Sequence, residues 1–164
     1  MDGSRAGPAV VIRRLGTSDA EVLELLARDD ADFDLEGRGG PRSPLGRAAA
    51  DAYLSNPHVL HWVARADGAV VGFLCCHLLP MRKEPARELL LYEIGVRSAW
   101  RRRGVGRQLV SAMEEWMRAN SVSTAWVLAD NGEAGRFYAA CGFGPGSGPA
   151  VYLELRIPGN APRR

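Results

Sequence analysis

The chain has 164 residues, 46% of them hydrophobic, which is enough for one domain with a buried core. Its formal net charge is only +2, so it is not a polycation of the kind that coats nucleic acid, and we expect no nucleic-acid partner. No apolar run reaches the roughly 18 residues of a membrane span, so we expect no membrane association. The three cysteines, an odd number, argue against a disulfide framework.

The two ends differ in composition from the interior. Residues 1–8 and 158–164 are rich in Gly, Pro and Arg, and we expect them to be flexible, with residues 9–157 forming a single domain. The first residues lack the apolar core of a signal peptide, which predicts a cytoplasmic protein. No grouping of His, Cys and carboxylates has the spacing of a metal site, so no metal is expected.

The N-terminal part predicts one strand and two helices. An apolar run over residues 10–15 predicts the strand, and residues 20–28 have the apolar spacing of a helix with Ser18 as its N-cap. The next eight residues, 29–36, read D-D-A-D-F-D-L-E and contain five acids and no base. After a loop rich in Gly and Pro, residues 45–54 predict a short second helix.

From residue 58 the apolar pattern changes to a period of two. Residues 59–65 and 69–79 flank the turn A-D-G, in which Gly68 supplies a positive φ, and this predicts a β-hairpin. Residues 87–96 predict a third long strand. Together the three segments predict an antiparallel meander.

The C-terminal part alternates between helix and strand. Residues 105–120 predict a strongly amphipathic helix, followed by a strand at 124–129, a helix at 133–141 and a last strand at 150–157. The complete order is β-α-α-β-β-β-α-β-α-β. It predicts a single α/β domain (α+β in some schemes), with a mixed, mostly antiparallel central sheet flanked by helices.

The junction between the third long strand and the amphipathic helix reads W-R-R-R-G-V-G, from Trp100 to Gly106. A helix N-terminus leaves backbone N–H groups unpaired, and its dipole adds about half a positive charge. Glycines keep the backbone bare where an anion would approach, and arginines add bidentate donors for phosphate. The junction therefore predicts a pyrophosphate site, with a solvated turn as the structural alternative. The residues concerned are Arg101, Arg102, Arg103, Gly104, Val105, Gly106 and Arg107.

The same loop resembles a family signature. R-R-R-G-V-G at 101–106 matches the pattern [Q/R]-x-x-G-x-[G/A] of the GNAT superfamily of N-acetyltransferases, in which this loop grips the pyrophosphate of coenzyme A. The segment N-G-E-A-G-R-F-Y-A-A-C-G-F at 131–143 is similar to the family segment N-x-x-A-x-x-F/Y-Y-x-x-x-G-F. The resemblance covers residues 9–157. It implies the GNAT fold and acetyl transfer from acetyl-CoA to an amine.

A closer resemblance is to the aminoglycoside 3-N-acetyltransferase type I subfamily. It is carried by V-V-G-F-L-C-C-H-L-L-P at 70–80, E-P-A-R at 84–87 and L-Y-E-I-G-V at 91–96. The chain departs from this subfamily at Glu93, where Asp is usual, and over residues 29–42.

The GNAT resemblance implies roles for the cofactor side of the site. The backbone of Ile94, Gly95 and Val96 would pair with the pantetheine arm as an added strand, with Gly95 permitting close approach. The N–H of Val96 would polarise the thioester carbonyl. Asn131 resembles the family asparagine that contacts pantetheine, and a compatible role is that of N-cap.

Two residues are candidates for proton transfer in a direct reaction through a tetrahedral intermediate. Glu93 is the candidate base, with burial expected to raise its pKa; the alternatives are a structural partner of an arginine such as Arg87 and an edge-facing surface acid. Tyr138 is the candidate acid for the departing thiolate and, like its family counterpart, a contact of the cofactor sulfur. The alternative for Tyr138 is core packing.

The acidic run is the feature most informative about the acceptor. Five carboxylates would attract a polycationic amine, although such a run is also typical of a solvated helix end. The candidate acceptor-binding residues are Asp29, Asp30, Asp32, Asp34, Glu36, Glu93 and Asp130.

Three functions stay open at this point. The first is acetylation of a small cationic amine, aminoglycosides included. The second is acetylation of a protein amine or another metabolite, and the third is a non-catalytic module that binds acetyl-CoA. A homodimer is also left open.

Overall fold

The computed structural model describes residues 8–33 and 43–146, together with residues 148, 153 and 155. Most of the strand predicted at 150–157 lies outside these residues, as do Asp34 and Glu36 of the acidic run.

Among the described residues, five strands form one sheet in the order in which they occur along the chain. They are β1 (Val11–Arg14), β2 (Val59–Ala66), β3 (Ala69–Pro80), β4 (Arg87–Val96) and β5 (Ala125–Trp126). The first four pair antiparallel, and β4 pairs with β5 in parallel. The predicted mixed, mostly antiparallel sheet is confirmed.

In the part of the chain that the structure describes, five helices accompany the sheet. They are α1 (Ala20–Arg28), α2 (Asp30–Phe33), α3 (Arg47–Ser55), α4 (Val105–Ala119) and α5 (Gly132–Ala140), and a 3₁₀ turn at Ser98–Trp100 precedes α4. The one-turn helix α2 was not predicted, because acidic residues rarely favour a helix interior without tertiary contacts. Within the described chain, β5 is also shorter than the predicted 124–129.

The predicted N-cap of α1 is wrong. The cap position is Asp19, not Ser18, and its side chain does not cap the helix. Instead, its carboxylate accepts hydrogen bonds from the Arg13 guanidinium at 2.5 and 2.8 Å and from the Gly16 N–H at 2.8 Å. These bonds tie the start of α1 to the end of β1 and lower the pKa of Asp19 to about 2, mainly through Arg13.

The core lies on both faces of the sheet. On one face the apolar stripe of α4, including Leu109 and Met113, packs against β2, β3 and β4. On the other face α1 and Phe33 pack against Val63 and Phe73. Strand β3 therefore contributes to both cores, as its long apolar run requires. None of the described helices is both long and apolar enough to cross a bilayer.

Candidate active site

The loop before α4 has the geometry of an anion site. Gly104 occupies the cap position with φ 81°, in the left-handed region. A Cβ at this position would meet no heavy atom within 4 Å, so the backbone conformation, and not crowding, is what requires glycine. The first N–H groups of the 15-residue helix α4 have no partner within the helix, and they are suited to bind phosphate oxygens.

Gly106, in the first turn of α4, is needed for packing. A Cβ there would lie 3.0 Å from Cε2 of Phe137 and 3.9 Å from Cγ2 of Val96. The start of α4, helix α5 and the end of β4 therefore meet at this glycine. The close packing places the predicted cofactor loop beside the predicted catalytic strand.

The arginines of the loop differ in their contacts. Arg101 points back into the protein, where its Nε donates to the Val96 carbonyl at 3.0 Å and its Nη2 donates to the Asp32 carbonyl at 3.2 Å. The Arg103 guanidinium lies 5.3 Å from the centre of the Trp100 ring. Arg101 thus braces the loop, and a cofactor contact by any of the arginines stays a prediction.

One edge of β4 is open at its C-terminal end. Within the described chain, β4 pairs with β5 only at Leu89 and Leu90. The N–H of Arg97 donates to the Val71 carbonyl of β3 at 2.9 Å. Because successive residues of a strand direct their N–H groups to opposite sides, Val96 and Ile94 direct theirs away from β3, towards the open edge.

Gly95 has a packing function, and the expected close approach of the cofactor at this residue stays a prediction. Its backbone faces β3, by the same alternation, and a Cβ on it would lie 2.5 Å from Cε1 of Phe73 and 3.0 Å from Cβ of Phe33. The missing side chain makes room for these two rings, which pack edge to face. Ile94 and Val96 are consequently the residues whose backbone suits an added strand.

A β-bulge in β4 decides where Glu93 points. Cys75 of β3 is opposite Glu93, whereas Cys76 is opposite Leu91, so Tyr92 is an extra residue on β4. Leu91 and Ile94 both pack in the core beside α4. Regular alternation from Leu91 would have turned Glu93 into that core. The bulge turns it to the opposite face.

Glu93 is exposed, so the expected burial is wrong. Arg87, the arginine considered as a structural partner of Glu93, lies at the other end of β4. Its Nη2 donates to the Asn120 carbonyl at 2.7 Å.

Glu93 lines a cavity of about 290 Å³ between the sheet and helices α1 and α3. Of the described residues that line it, half are apolar and half are polar. The apolar ones are Leu23, Leu26, Ala27, Leu45 and Phe73, and the polar ones are Asp30, Ser43, Tyr53, His61 and Glu93. The cavity lies on the Glu93 face of β4, which makes it the candidate acceptor site.

Three polar side chains meet in the wall of this cavity, and we name them the neutral cluster: Tyr53, His61 and Cys75. The Tyr53 hydroxyl lies 3.1 Å from Nδ1 of His61 and 3.0 Å from Sγ of Cys75. Burial, with a smaller effect of His77, lowers the pKa of His61 to about 4. Burial raises the pKa of Cys75 to about 11 and that of Tyr53 well above its ordinary value. All three groups are therefore uncharged near pH 7.

Sequence reasoning missed the neutral cluster. Tyr53 is separated by 8 residues from His61 and by 22 from Cys75. No spacing within one helix or strand signals such a meeting. The pairing of β2 with β3, which places His61 opposite Cys75, is what brings two of the three together.

A second polar group, which we name the ionic cluster, consists of Asp29, Asp32, Arg97 and Ser98. The Arg97 guanidinium donates to Asp29 at 2.6 Å, to Asp32 at 2.9 Å and to the Val70 carbonyl at 2.7 Å. Ser98 Oγ donates to Asp32 at 2.6 Å. The bonds from Ser98 and then Arg97 lower the pKa of Asp32. Two of the predicted acceptor-binding carboxylates, Asp29 and Asp32, thus form ion pairs with an arginine of the protein itself.

The Asn131 side chain caps α5, because its Oδ1 accepts from the Ala134 N–H at 2.8 Å. This confirms the N-cap interpretation and leaves the contact with pantetheine a prediction.

Tyr138 is buried in the core beside α4, with its ring edge-on to Phe137 at 5.3 Å and to Phe143 at 5.6 Å. Burial, followed by the nearby Asp130, raises the pKa of Tyr138 to about 12. The phenol therefore packs in the core and also keeps the proton that an acid needs.

The comparisons with known proteins agree with this geometry. The model of the acetyltransferase (GNAT) family matches residues 22–143. The N-alpha-acetyltransferase RimI of Mycobacterium tuberculosis is 31% identical over 100 residues. That match spans 61% of this chain and 61% of RimI, which is less than two thirds of the length of either protein.

Solved structures share the fold. An aminoglycoside acetyltransferase from an uncultured soil metagenomic sample, in complex with sisomicin, gives a TM-score of 0.74 at 20% identity, over 90% of this chain and 97% of that one. The aminoglycoside N-acetyltransferase AAC(6')-Iy, in complex with CoA, gives 0.72 at 20% identity, over 93% and 99%. A ribosomal-protein-alanine N-acetyltransferase from Brucella melitensis biovar Abortus 2308 gives 0.69 at 21% identity, over 90% and 100%.

These relatives include 6'-type aminoglycoside acetyltransferases and protein N-acetyltransferases, so the narrower resemblance to the 3-N type I subfamily stays a prediction. The predicted superfamily is confirmed, because the family match covers well over half of the chain. The predictions of an acetyltransferase and of acetyl-CoA as its cofactor are confirmed at the level of this family. The chain belongs to the GNAT family of acetyltransferases, which use acetyl-CoA.

Proposed function

We propose that this chain is an acetyl-CoA-dependent N-acetyltransferase that acetylates the primary amine of a small cationic acceptor, with aminoglycosides among the candidates. The observation that carries the proposal is the position of Glu93. The bulge at Tyr92 turns this carboxylate into the 290 Å³ cavity, next to the open edge of β4. A proton acceptor, an acceptor-sized space and an edge for the cofactor therefore occur together.

The residues of the chain suit acetyl-CoA, which when bound supplies an activated acetyl group and a thiolate leaving group. The N–H groups at the start of α4 would hold the pyrophosphate, together with the positive end of the helix dipole. The backbone of Ile94 and Val96 would pair with the pantetheine arm along the open edge. The Val96 N–H would donate to the acetyl carbonyl oxygen, where negative charge develops.

Two side chains would move the protons. Glu93 would accept a proton from the acceptor ammonium, directly or through a water, which frees the nitrogen lone pair for attack. Tyr138, which stays protonated because its pKa is raised to about 12, would donate to the departing sulfur. Transfer would be direct, because burial raises the pKa of the Cys75 thiol to about 11 and thiolate is scarce there.

The charge of the site favours a cation, though less strongly than the acidic run suggests. Asp30 and Glu93 line the cavity. Asp29 and Asp32, in contrast, share Arg97, whose single positive charge offsets one of their two negative charges within the protein. Binding of the acceptor by Asp130, and by Asp34 and Glu36 outside the described residues, remains part of the proposal.

The amine of a protein N-terminus is a second candidate acceptor. The apolar half of the cavity lining would accommodate an apolar side chain next to the amine. The similarity to RimI, named as an N-alpha-acetyltransferase, supports the same alternative.

Release of free thiol from acetyl-CoA tests these proposals against a panel of an aminoglycoside, spermidine and a short peptide with a free N-terminus. Turnover with the first two and not with the peptide supports the small cationic acceptor, and the reverse pattern supports the protein amine. Binding of acetyl-CoA without turnover on any amine would contradict both and would indicate a non-catalytic module.

The substitution Glu93→Gln tests the base. It removes the proton acceptor with little change in shape, and we expect kcat/KM to fall at least about tenfold. Glu88→Gln, on the same strand, is the matched control and should leave kcat/KM near the wild-type value. An unchanged kcat/KM in Glu93→Gln would rule out the role as base.

A further inference from the structure

We infer that Tyr53 is a substrate-contacting residue whose hydroxyl oxygen accepts a hydrogen bond from the acceptor amine, and that His61 and Cys75 hold this hydroxyl in position. The inference rests on the proposed function, because it takes the cavity to be the acceptor site. It assigns a function to a helix α3 residue that no sequence motif pointed to.

Tyr53 lies close to the proposed base, Glu93. Tyr53 and His61 line the same cavity as Glu93. Cys75, 3.0 Å from the Tyr53 hydroxyl, is directly opposite Glu93 in the pairing of β3 with β4. The Tyr53 hydroxyl and the proposed base therefore lie in the same part of the cavity, although they come from α3 and β4.

The Tyr53 hydroxyl can form one more hydrogen bond than its two partners use. A phenol hydroxyl can donate one hydrogen bond and accept two. When the hydroxyl donates to one of its two partners and accepts from the other, one acceptor position remains on its oxygen. His61 and Cys75 thus fix the direction of the hydroxyl and leave it able to accept one further N–H.

The neutral cluster also contains a buried polar atom of His61. His61 is 7% exposed, and among the described residues its Nε2 has no hydrogen-bond partner. Burying an imidazole beside a cavity with one nitrogen unmatched costs stability, and a core that served packing alone would favour an apolar residue. A function of the neutral cluster in the site accounts for this cost.

The chemistry of the amine fits the neutral cluster. An ammonium that gives one proton to Glu93 keeps two N–H groups and gains a lone pair. If one N–H is held by the Tyr53 oxygen, the lone pair stays free for attack on the acetyl carbon. Because all three groups of the cluster are uncharged near pH 7, they orient the amine without repelling its cationic form.

The test is Tyr53→Phe in the full chain, with spermidine and leucinamide as acceptor probes. Loss of the hydroxyl should raise the KM of the acceptor about tenfold, as expected for a lost hydrogen bond to a charged group, and should leave the KM of acetyl-CoA within about twofold. Ser55→Ala removes an exposed hydroxyl from the same helix, outside the cavity, and should leave both KM values unchanged.

The adjacent cysteines offer a second, matched pair. Cys75→Ala removes one of the two groups that hold the hydroxyl and should raise the acceptor KM about threefold. Cys76→Ala removes a fully buried core thiol and should lower stability without changing the acceptor KM.

Two kinetic results would overturn the inference: an acceptor KM of Tyr53→Phe equal to that of wild type, or an equal rise in the KM of acetyl-CoA, which would show a general structural effect. Absence of thiol release in wild type would instead contradict the proposed function. In that case, calorimetric titration of the two amines into the CoA-bound protein measures how the Tyr53 hydroxyl affects acceptor binding without turnover. A Kd unchanged by Tyr53→Phe, or no binding of either amine to wild type, overturns the inference as well.

Discussion

The two polar clusters on the cavity side of the sheet differ in charge, in exposure and in the completeness of their hydrogen bonds. In the ionic cluster, Arg97 is matched by two carboxylates and a backbone carbonyl, and the charged side chains are 22 to 39% exposed. In the neutral cluster the groups carry no charge near pH 7, His61 is 7% exposed, and its Nε2 has no partner among the described residues.

This difference indicates that the ionic cluster stabilises the fold, whereas the neutral cluster is suited to bind a ligand. The ionic cluster joins α1 and α2 to the residue after β4, and the Arg97 guanidinium also lies 4.6 Å from the centre of the Phe33 ring. Its partners are complete within the protein, so it holds the end of β4 in place. The neutral cluster keeps unused hydrogen-bonding capacity at the cavity wall, which is what recognition of a ligand requires.

Removing the cation from the ionic cluster should give the largest loss of stability. Arg97→Met leaves Asp29 and Asp32 close together without their partner, and we expect the free energy of unfolding to fall by about 2 to 3 kcal/mol. The loss is smaller than for a fully buried pair, because the carboxylates are a third or more exposed. Urea denaturation measures it.

Arg28→Met is the control, since Arg28 forms an exposed pair with Glu24 and its removal should cost less than about 0.5 kcal/mol. Equal effects of the two substitutions would contradict the bracing role of Arg97.

The contributions of the two clusters to the free energy of unfolding should also be lost in different pH ranges. The pKa of His61 is lowered from 6.5 to about 4, so the unfolded chain binds a proton first and stability is lost as pH falls from about 6.5 towards about 4. Between pH 7 and pH 5 this amounts to about 2 kcal/mol. The pKa of Asp32 is also lowered, but for a carboxylate the stability is present above its unfolded pKa and is lost only below about pH 4.

Denaturation of wild type and His61→Asn at pH 7 and pH 5 checks this expectation. The advantage of wild type over the variant should shrink by about 2 kcal/mol at the lower pH. A difference that does not change with pH would show that His61 is not buried in its neutral form.

The smallest effect concerns the loop before α4. Gly104→Val forces a β-branched residue into a left-handed conformation, which displaces the first N–H groups of α4, so we expect the Kd for CoA to rise about tenfold. Arg101→Ala removes bonds to the Val96 and Asp32 carbonyls and should raise the Kd less. Calorimetry measures both, and the reverse order would indicate that the arginine side chains, and not the backbone, bind the cofactor.

Local patterns in the sequence were sufficient for most elements. The apolar stripe predicted a helix at 105–120, and α4 is Val105–Ala119. The period-two run at 87–96 is strand β4. These elements were predictable because their buried faces recur at the period of the element itself. The one-turn helix α2 was not, since its position depends on contacts of Asp32 and Phe33 with residues more than 60 positions away.

What the sequence by itself determined is the set of residues proposed to bind the cofactor, because the loop 101–107 and the segment 131–143 are continuous stretches whose proposed function depends on local backbone geometry. Only the tertiary structure decided which residues line the proposed acceptor site. A single bulge at Tyr92 turned Glu93 from the core to the cavity, and strand pairing brought His61, Cys75 and Tyr53 together. The acidic run was read from the sequence as a surface for cations, yet two of its carboxylates pair with Arg97 inside the protein. Side-chain direction and charge pairing arise from contacts between distant segments, and those contacts exist only in the folded chain.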